Sequence, residues 1–142
     1  MNIDIKYTDL LRKQIAEVKK ENHWLEFKSN YQEADKLGRY ISALANGACL
    51  DPEDFAYLYF GVDDETLNVK GTTLDVSKVK AKGNQSLELY LRQYITPCIS
   101  FEFEEFLFDE DKRVVRLRIP AAAGEPVSYF GKPYIRVDSH TT

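Results

Sequence analysis

Helical spacing of hydrophobic residues predicts three α-helices along this chain. The first is predicted over residues 8–20 and the second over residues 33–46. The third follows Asn84 or Ser86, either of which can act as an N-cap, and it ends near Tyr94, shortly before a proline. Segments with a different periodicity separate these helices.

Alternating and continuous hydrophobic segments predict the strands of a mixed sheet. In residues 23–28, Leu25 and Phe27 face one way and polar residues face the other. Residues 55–62 are hydrophobic on both faces, which indicates a buried central strand. Further strands are predicted at residues 100–108, 113–119, 127–130 and 134–137, the last two joined by a turn at Gly131-Lys132. The pattern predicts a single α+β domain with a mixed β-sheet, about three helices and a strand-rich C-terminal half.

The amino-acid composition indicates the cellular compartment in which this protein is expected. The chain has 142 residues, of which 44% are hydrophobic, as expected for one domain with a substantial core. It has no run of about 18 hydrophobic residues, and its N-terminus is unlike a signal peptide. Cys49 and Cys98 lie among hydrophobic residues and are interpreted as free thiols that fill space, although a disulfide between them stays open. We therefore expect a cytoplasmic protein that has no membrane partner.

The net charge of −4 weighs against a nucleic-acid binder, whose surface is usually basic. The acidity is concentrated in residues 101–111, which contain six acidic residues and no basic one. Since these six belong to a total of 23, the rest of the chain has 17 acidic residues against 19 basic ones. One acidic edge beside a nearly neutral remainder leaves room for a basic face.

Four short motifs follow one another along the chain. They are Glu21-Asn22-His23-Trp24-Leu25-Glu26-Phe27-Lys28, Ile41-Ser42-Ala43-Leu44-Ala45-Asn46-Gly47, Tyr59-Phe60-Gly61-Val62-Asp63-Asp64 and Tyr129-Phe130-Gly131-Lys132-Pro133-Tyr134-Ile135-Arg136. In this order and at this spacing they resemble the motifs of the Schlafen AlbA-like domain family, over about residues 20–138. One departure occurs at residues 48–54, where the family usually has a Gly-Gly pair that leads directly into the next strand. This departure weakens any function that needs a glycine loop beside a phosphate.

The resemblance implies a function that involves nucleic acid. Family members are described as DNA-binding or ATP-binding domains at the front of longer proteins that resemble transcription regulators. Eukaryotic Schlafen relatives cleave RNA with a set of acidic residues. We therefore expect a DNA- or RNA-binding module at the N-terminal end of a longer bacterial transcriptional regulator. Residues 1–20 are expected to form an N-terminal helix ahead of a family-like core at residues 21–138.

A metal-dependent endoribonuclease is the second hypothesis. By resemblance, Glu21, Glu26 and Asp64 match the acidic positions of the ribonuclease-active relatives, with Lys28 near the phosphate. Carboxylates that converge on Mg²⁺ or Mn²⁺ can support phosphodiester cleavage, because hard cations prefer oxygen ligands. The alternative is that Glu26 pairs with Lys28 on a solvated strand face and that Asp63-Asp64 form a turn. No other cofactor is predicted.

Basic residues supply the candidate contacts to phosphate. The predicted nucleic-acid contacts are Lys28, Lys78, Lys80, Lys82, Arg92, Lys132 and Arg136. Arg116 and Arg118 also alternate along a predicted strand and would make one of its faces basic. Ordinary solvated surface is the alternative interpretation for all of them.

ATP binding and self-association complete the alternatives. The segment Lys82-Gly83-Asn84-Gln85-Ser86 has one glycine and lacks the spacing of a phosphate-binding loop. The aromatic residues are interpreted mainly as core, with Tyr129 and Tyr134 as exceptions. A homodimer could form through Phe106 or Phe108 if either ring were exposed. Burial of both rings beneath the third helix is the alternative.

Overall fold

The predicted α+β class is confirmed by a computed structural model, which describes residues 3–18, 23–31, 33–137 and 140–141. The described helices are α1 (Ile3–Val18), α2 (Ala34–Leu50) and α3 (Leu87–Tyr94). The strands are β1 (Leu25–Lys28), β2 (Phe55–Phe60), β3 (Ile95–Thr96), β4 (Glu102–Phe108), β5 (Lys112–Pro120), β6 (Ser128–Tyr129), β7 (Lys132–Pro133), β8 (Arg136–Val137) and β9 (His140–Thr141).

A four-stranded mixed sheet with the order β1-β2-β5-β4 forms the centre of the fold. Strand β1 runs parallel to β2, and the other two pairings are antiparallel. The hydrophobic segment of β2 is therefore a central strand, as its pattern predicts. Strands β3, β6 and β7 form a second small sheet, and β8 pairs with β9.

Helices cover both faces of the central sheet. Helices α2 and α3 pack on one face, where Leu58 and Leu117 share a hydrophobic cluster with buried helical residues such as Leu44 and Leu91. Helix α1 packs on the opposite face, where Leu11 joins a second hydrophobic cluster. That cluster also contains the buried residues Leu25, Phe27, Tyr59, Val62, Phe106, Phe108 and Val114. The domain therefore has three layers, with the sheet in the middle.

Three predicted boundaries are wrong. Helix α1 begins at Ile3 instead of at Thr8, whose hydroxyl donates to the Leu107 carbonyl oxygen at 3.2 Å. Helix α2 continues to Leu50, so that Asn46-Gly47 lies within the helix. The last hairpin turns at Phe130-Gly131, because β6 and β7 pair Tyr129 with Lys132.

Two polar residues of α2 hold the C-terminal segment against the helix. The buried Asn46 side chain donates to the carbonyl oxygens of Val127 and Tyr134 and accepts from the Val127 N–H, at 2.8 to 3.0 Å. The Ser42 hydroxyl donates to the Val127 oxygen at 2.7 Å and accepts from the Tyr134 N–H at 2.9 Å. At Gly47, an added Cβ would lie 1.9 Å from the backbone oxygen of His23, so that only glycine allows this close approach. The second sequence motif therefore has a structural role.

The acidic strand β4 is neutralised within its own sheet. Glu104 lies opposite Arg116 on β5, and the side chains form an ion pair of 2.7 Å. Glu102 pairs in the same way with Arg118 at 3.1 Å. The expectation of a basic face on β5 is therefore wrong, because each arginine has an acidic neighbour across the ladder.

Two further expectations about side chains are answered here. Phe106 and Phe108 are buried, but beneath α1 and not beneath the third helix. Cys49 and Cys98 are free thiols, as predicted, although both are exposed and do not fill space in the core. None of the described helices has the length and hydrophobicity needed to cross a membrane.

Candidate nucleic-acid interface

Three exposed lysines lie on the loop that precedes α3. We call residues 78–82 the basic loop, with Lys78, Lys80 and Lys82 as its cations. Short 3-10 turns at Val76–Lys78 and Lys82–Asn84 shape this segment, and Ser86 then caps α3 by accepting from the Leu89 N–H. The side chains of Lys78 and Lys82 are 83% and 77% exposed, and their ion-pair distances to Asp75 and Asp35 are 3.9 Å. Pairs that are so long and solvated are weak, which leaves these ammonium groups available to a phosphate.

Asp35 connects the basic loop to the last hairpin. One of its carboxylate oxygens lies 3.9 Å from the Lys82 ammonium, and the other accepts from the Tyr129 hydroxyl at 2.5 Å. The hydroxyl groups of Tyr129 and Tyr90 lie 3.1 Å apart. The hydrogen bond from Tyr129, together with the charge of Lys82, lowers the pKa of Asp35 despite some desolvation. The two phenols therefore belong to the core, and Tyr129 is not the exception that the sequence indicated.

The tip of this hairpin carries an exposed aromatic ring and a lysine. We call Phe130–Lys132 the hairpin tip. Both turn residues have positive φ, 51° at Phe130 and 72° at Gly131, as in the tightest hairpin turns. The ring of Phe130 stacks on that of Tyr94 with centroids 4.0 Å apart, and Lys132 is exposed with its ammonium 5.6 Å from the ring centroid of Tyr134.

Lys28 occupies a more enclosed position between β1 and α2. Its ammonium lies 5.1 Å from the ring centroid of Tyr40, and it lines a small cleft with Tyr31. Burial lowers the pKa of Lys28, but the hydrogen bond with Tyr40 and the charges of Glu26 and Asp64 outweigh it, so that the net shift is upward. Lys28 is thus a half-buried cation near two of the predicted acidic residues.

Two arginines that were predicted to contact nucleic acid bind other groups of the protein through their guanidinium groups. The Arg92 guanidinium donates to the Phe101 oxygen at 2.8 Å and lies 4.3 Å from the centre of that ring. Arg136 is entirely buried and donates to Glu26 at 2.5 Å, with side-chain exposures of 0% and 1%. A guanidinium without exposed surface cannot contact a phosphate in this conformation, so that the predicted surface role of Arg136 is corrected.

The acidic residues fall in different environments. Glu26 is buried against Arg136 and does not lie on a solvated face with Lys28 as its partner. Asp64 is exposed, whereas its neighbour Asp63 accepts from the N–H groups of Glu65 and Thr66, which lower its pKa to about 2. Glu21 lies outside the described residues. Within the described part of the chain, no three His, Cys, Asp or Glu residues are grouped as metal ligands.

These observations do not fit a divalent cation at Glu26. One of its oxygens is held by Arg136, and the carboxylate is 1% exposed. The second oxygen has no hydrogen-bond partner among the described residues, but an entering cation would have to lie beside the buried guanidinium. The described residues thus supply an ion pair where a metal would need free carboxylates.

A family model named "Schlafen, AlbA_2" matches residues 21–142, and the chain belongs to this family. Helix α1 therefore precedes the matched region. Among curated proteins, no sequence matches this chain.

Two solved structures share the fold. One is the N-terminal domain of a RecG-related protein from Nitrosomonas europaea, by name a candidate ATP-dependent DNA helicase, with 21% identity, a TM-score of 0.57, and coverage of 94% of this chain and 89% of that one. The other is the DIP2311 protein from Corynebacterium diphtheriae, with 18% identity, a TM-score of 0.50 and coverage of 96% of this chain. The chain spans only 27% of the length of that protein.

Sequence reasoning missed the pairing of Tyr94 with Phe130, because it interpreted Tyr94 as a core residue and placed Phe130 in a predicted strand. The ring of Phe130 is 54% exposed. The sequence Phe130-Gly131-Lys132 could have indicated this exposed ring, because a turn centred on Phe130-Gly131 places the aromatic residue at the tip of the hairpin.

Proposed function

We propose that this domain binds nucleic acid through contacts between the basic loop and the phosphate backbone. The observation that supports this most strongly is the exposure of Lys78, Lys80 and Lys82 on one short segment, where the ion pairs of Lys78 and Lys82 are as long as 3.9 Å. Membership of the Schlafen AlbA_2 family agrees with it. So does the fold shared with the domain of a protein whose name refers to a DNA helicase.

Phosphate-type contacts favour binding that is sensitive to salt and tolerant of sequence. Ammonium groups release counterions from the nucleic acid when they bind, and they read no base identity. Lys132 extends the cationic surface beyond the basic loop, because the Asp35–Tyr129 hydrogen bond holds the hairpin close to Lys82. The net charge of −4 weighs against binding, and the pairs of Glu102 and Glu104 with arginines of β5 leave it unchanged, so that the proposal depends on the local positive charge of the basic loop.

The wider role of regulator remains a prediction. A domain with this loop would supply affinity for DNA or RNA to a longer transcriptional regulator, and base preference would come from other parts. Homodimerisation and ATP binding also remain predictions.

The endoribonuclease hypothesis is less well supported. It needs accessible carboxylates that converge on one cation, whereas Glu26 is buried with Arg136. Asp64 is exposed, but no group of three possible metal ligands occurs among the described residues. Mg²⁺ or Mn²⁺ at millimolar concentration would raise the melting temperature if a folded-state site existed, because a ligand of the native state stabilises it. We expect no shift, and a clear increase would revive this hypothesis.

The proposed binding is tested by exchanging three lysines for glutamine at once. We expect the combined Lys78→Gln, Lys80→Gln and Lys82→Gln variant to lose at least about tenfold in affinity for a fluorescent oligonucleotide at low salt. The matched control is Lys6→Gln, Lys13→Gln and Lys70→Gln, which removes the same charge from α1 and from a distant turn. Equal losses in both variants would show that total charge, and not the basic loop, determines binding.

A further inference from the structure

The aromatic pair formed by Tyr94 and Phe130 has the features of a binding surface. Its two rings are nearly parallel, with an interplanar angle of 11° and centroids 4.0 Å apart. Phe130 is 54% exposed. Isolated exposed hydrophobic residues are common, so that exposure alone carries no weight.

The backbone at Phe130 gives a second reason to single out this ring. Its φ of 51° lies in the left-handed region, which bulky side chains rarely adopt and where asparagine or glycine is usual in such turns. A hydrogen bond of 3.0 Å from the Phe130 N–H to the Tyr94 oxygen fixes the turn on the end of α3. The aromatic ring is therefore held in place at a position where a small polar residue would be less strained.

The surroundings of the pair determine which ligand would fit. Tyr94 covers one face of Phe130, and the ring of Tyr129 meets it edge-on with centroids 4.9 Å apart. A flat aromatic ligand can continue the stack on the remaining exposed area of Phe130. Lys132 follows two residues later, and Lys82 is linked to Tyr129 through Asp35. Cations beside an exposed aromatic ring match a nucleobase together with its backbone phosphates.

We propose that the Tyr94–Phe130 pair is a stacking platform for an unpaired nucleobase, so that this domain binds single-stranded nucleic acid in preference to duplex. The inference rests on the nucleic-acid binding proposed above and adds the class of substrate. In a duplex both faces of each internal base are already stacked, and no base is free to lie on Phe130. A single strand, whether DNA or RNA, presents bases that can.

The test measures binding of fluorescent 12-nucleotide oligomers at low salt. The probes are oligo-dT, oligo-U, the same DNA backbone with abasic sites, and a 12-base-pair duplex. We expect the wild-type protein to bind oligo-dT and oligo-U at least several-fold more tightly than the abasic strand or the duplex. Because a base that stacks on a protein aromatic ring adds to the affinity, Phe130→Ala should weaken oligo-dT binding roughly tenfold.

Three further variants separate stacking from packing. Phe130→Leu keeps a hydrophobic side chain without an aromatic face and should bind as weakly as Phe130→Ala, whereas Phe130→Trp should restore binding. Leu89→Ala is the matched control, since Leu89 is another exposed hydrophobic residue, on the same helix as Tyr94. The salt dependence of binding should be unchanged in Phe130→Leu, because no charge is lost.

The outcomes distinguish the two proposals. Equal binding of the abasic strand and oligo-dT, a preference for duplex, or wild-type affinity in Phe130→Leu would overturn the stacking platform while leaving phosphate binding intact. A wild-type protein that binds none of the four probes would overturn the proposed function itself. The comparison of oligo-dT with the abasic strand uses only the wild-type protein, so that it decides the matter even if Phe130→Ala does not fold.

Discussion

Glu26 and Arg136 form a buried ion pair that joins the first strand of the sheet to the last part of the chain. Both side chains are almost completely excluded from solvent, and three of their polar atoms, Oε2 of Glu26 and two nitrogens of Arg136, lack partners among the described residues. Burying two charges is expensive, and the removal of one partner leaves the other uncompensated. These residues belong to the first and fourth sequence motifs, so that the pair accounts for part of the motif pattern without any catalytic role.

The buried ion pair leads us to predict how substitutions at Glu26 and Arg136 change the free energy of unfolding. Glu26→Gln should lower the free energy of unfolding by about 3–5 kcal/mol, because it leaves the Arg136 charge buried alone. The double variant Glu26→Leu/Arg136→Met should recover most of this loss. Urea unfolding followed by the fluorescence of Trp24, the only tryptophan, measures both. A Glu26→Gln variant as stable as the wild type would contradict the structural role.

At the scale of elements, the contact between α1 and β4 closes one side of the sheet. Asp4 accepts from the Leu107 N–H at 3.1 Å, and Thr8 donates to the Leu107 oxygen, so that helix side chains satisfy part of the exposed edge of β4. Such cover protects an edge strand from pairing with another chain. The rings of Phe106 and Phe108 lie beneath the same helix, so that they provide no exposed contact for a homodimer.

The packing beneath α1 is tested with two neighbouring residues. Phe106→Ala should destabilise the domain by about 3–5 kcal/mol, since the ring is buried in the second core. Leu107→Ala is the matched control, because Leu107 is 41% exposed and points away from the core, and its effect should be small. Thermal or urea unfolding decides between them, and similar losses in both variants would contradict this assignment of faces.

The ion pairs of β4 also predict a dependence of stability on pH. Burial raises the pKa of Glu104, but hydrogen bonds from Tyr7 and Arg116 and the nearby positive charge more than offset this, and the folded-state pKa is lowered. The resulting stability is present above the usual glutamate pKa of about 4.3 and is lost as the pH falls through the lower folded-state pKa.

Glu104→Gln should therefore make the free energy of unfolding depend less steeply on pH on the acid side, besides lowering stability at neutral pH. Glu110→Gln, at an exposed turn, is the matched control for the loss of one carboxylate. Urea unfolding at a series of pH values between about 3 and 7 measures the effect. An acid limb that is unchanged in Glu104→Gln would show that the pair with Arg116 does not supply it.

At the scale of the whole molecule, the sequence was sufficient for the α+β class, the central position of β2 and the family. It was insufficient for contacts between distant segments. Arg136 lies 110 residues from Glu26, and no local pattern distinguishes a buried arginine from one that contacts phosphate. The basic face expected on β5 is not observed for the same reason. The acidic strand β4 is the direct neighbour of β5 in the sheet, and local sequence does not indicate this pairing.

The hairpin tip shows how a small error of register changes an interpretation. A turn at Gly131-Lys132 would have left Phe130 in a strand, whereas the turn at Phe130-Gly131 places its ring in solvent beside Tyr94. The lysines of the basic loop, in contrast, were identified correctly as exposed, because local sequence determines the exposure of a polar loop better than it determines long-range pairing.

The most direct test of the central proposal is the salt dependence of nucleic-acid affinity. The logarithm of the association constant for a single strand should fall linearly with the logarithm of salt concentration, by about 0.7 per phosphate contact. If each lysine of the basic loop contacts one phosphate, the variant with Lys78, Lys80 and Lys82 changed to glutamine should have a slope shallower by about 2. A slope identical to that of the wild type, or wild-type binding that ignores salt, would contradict the proposal.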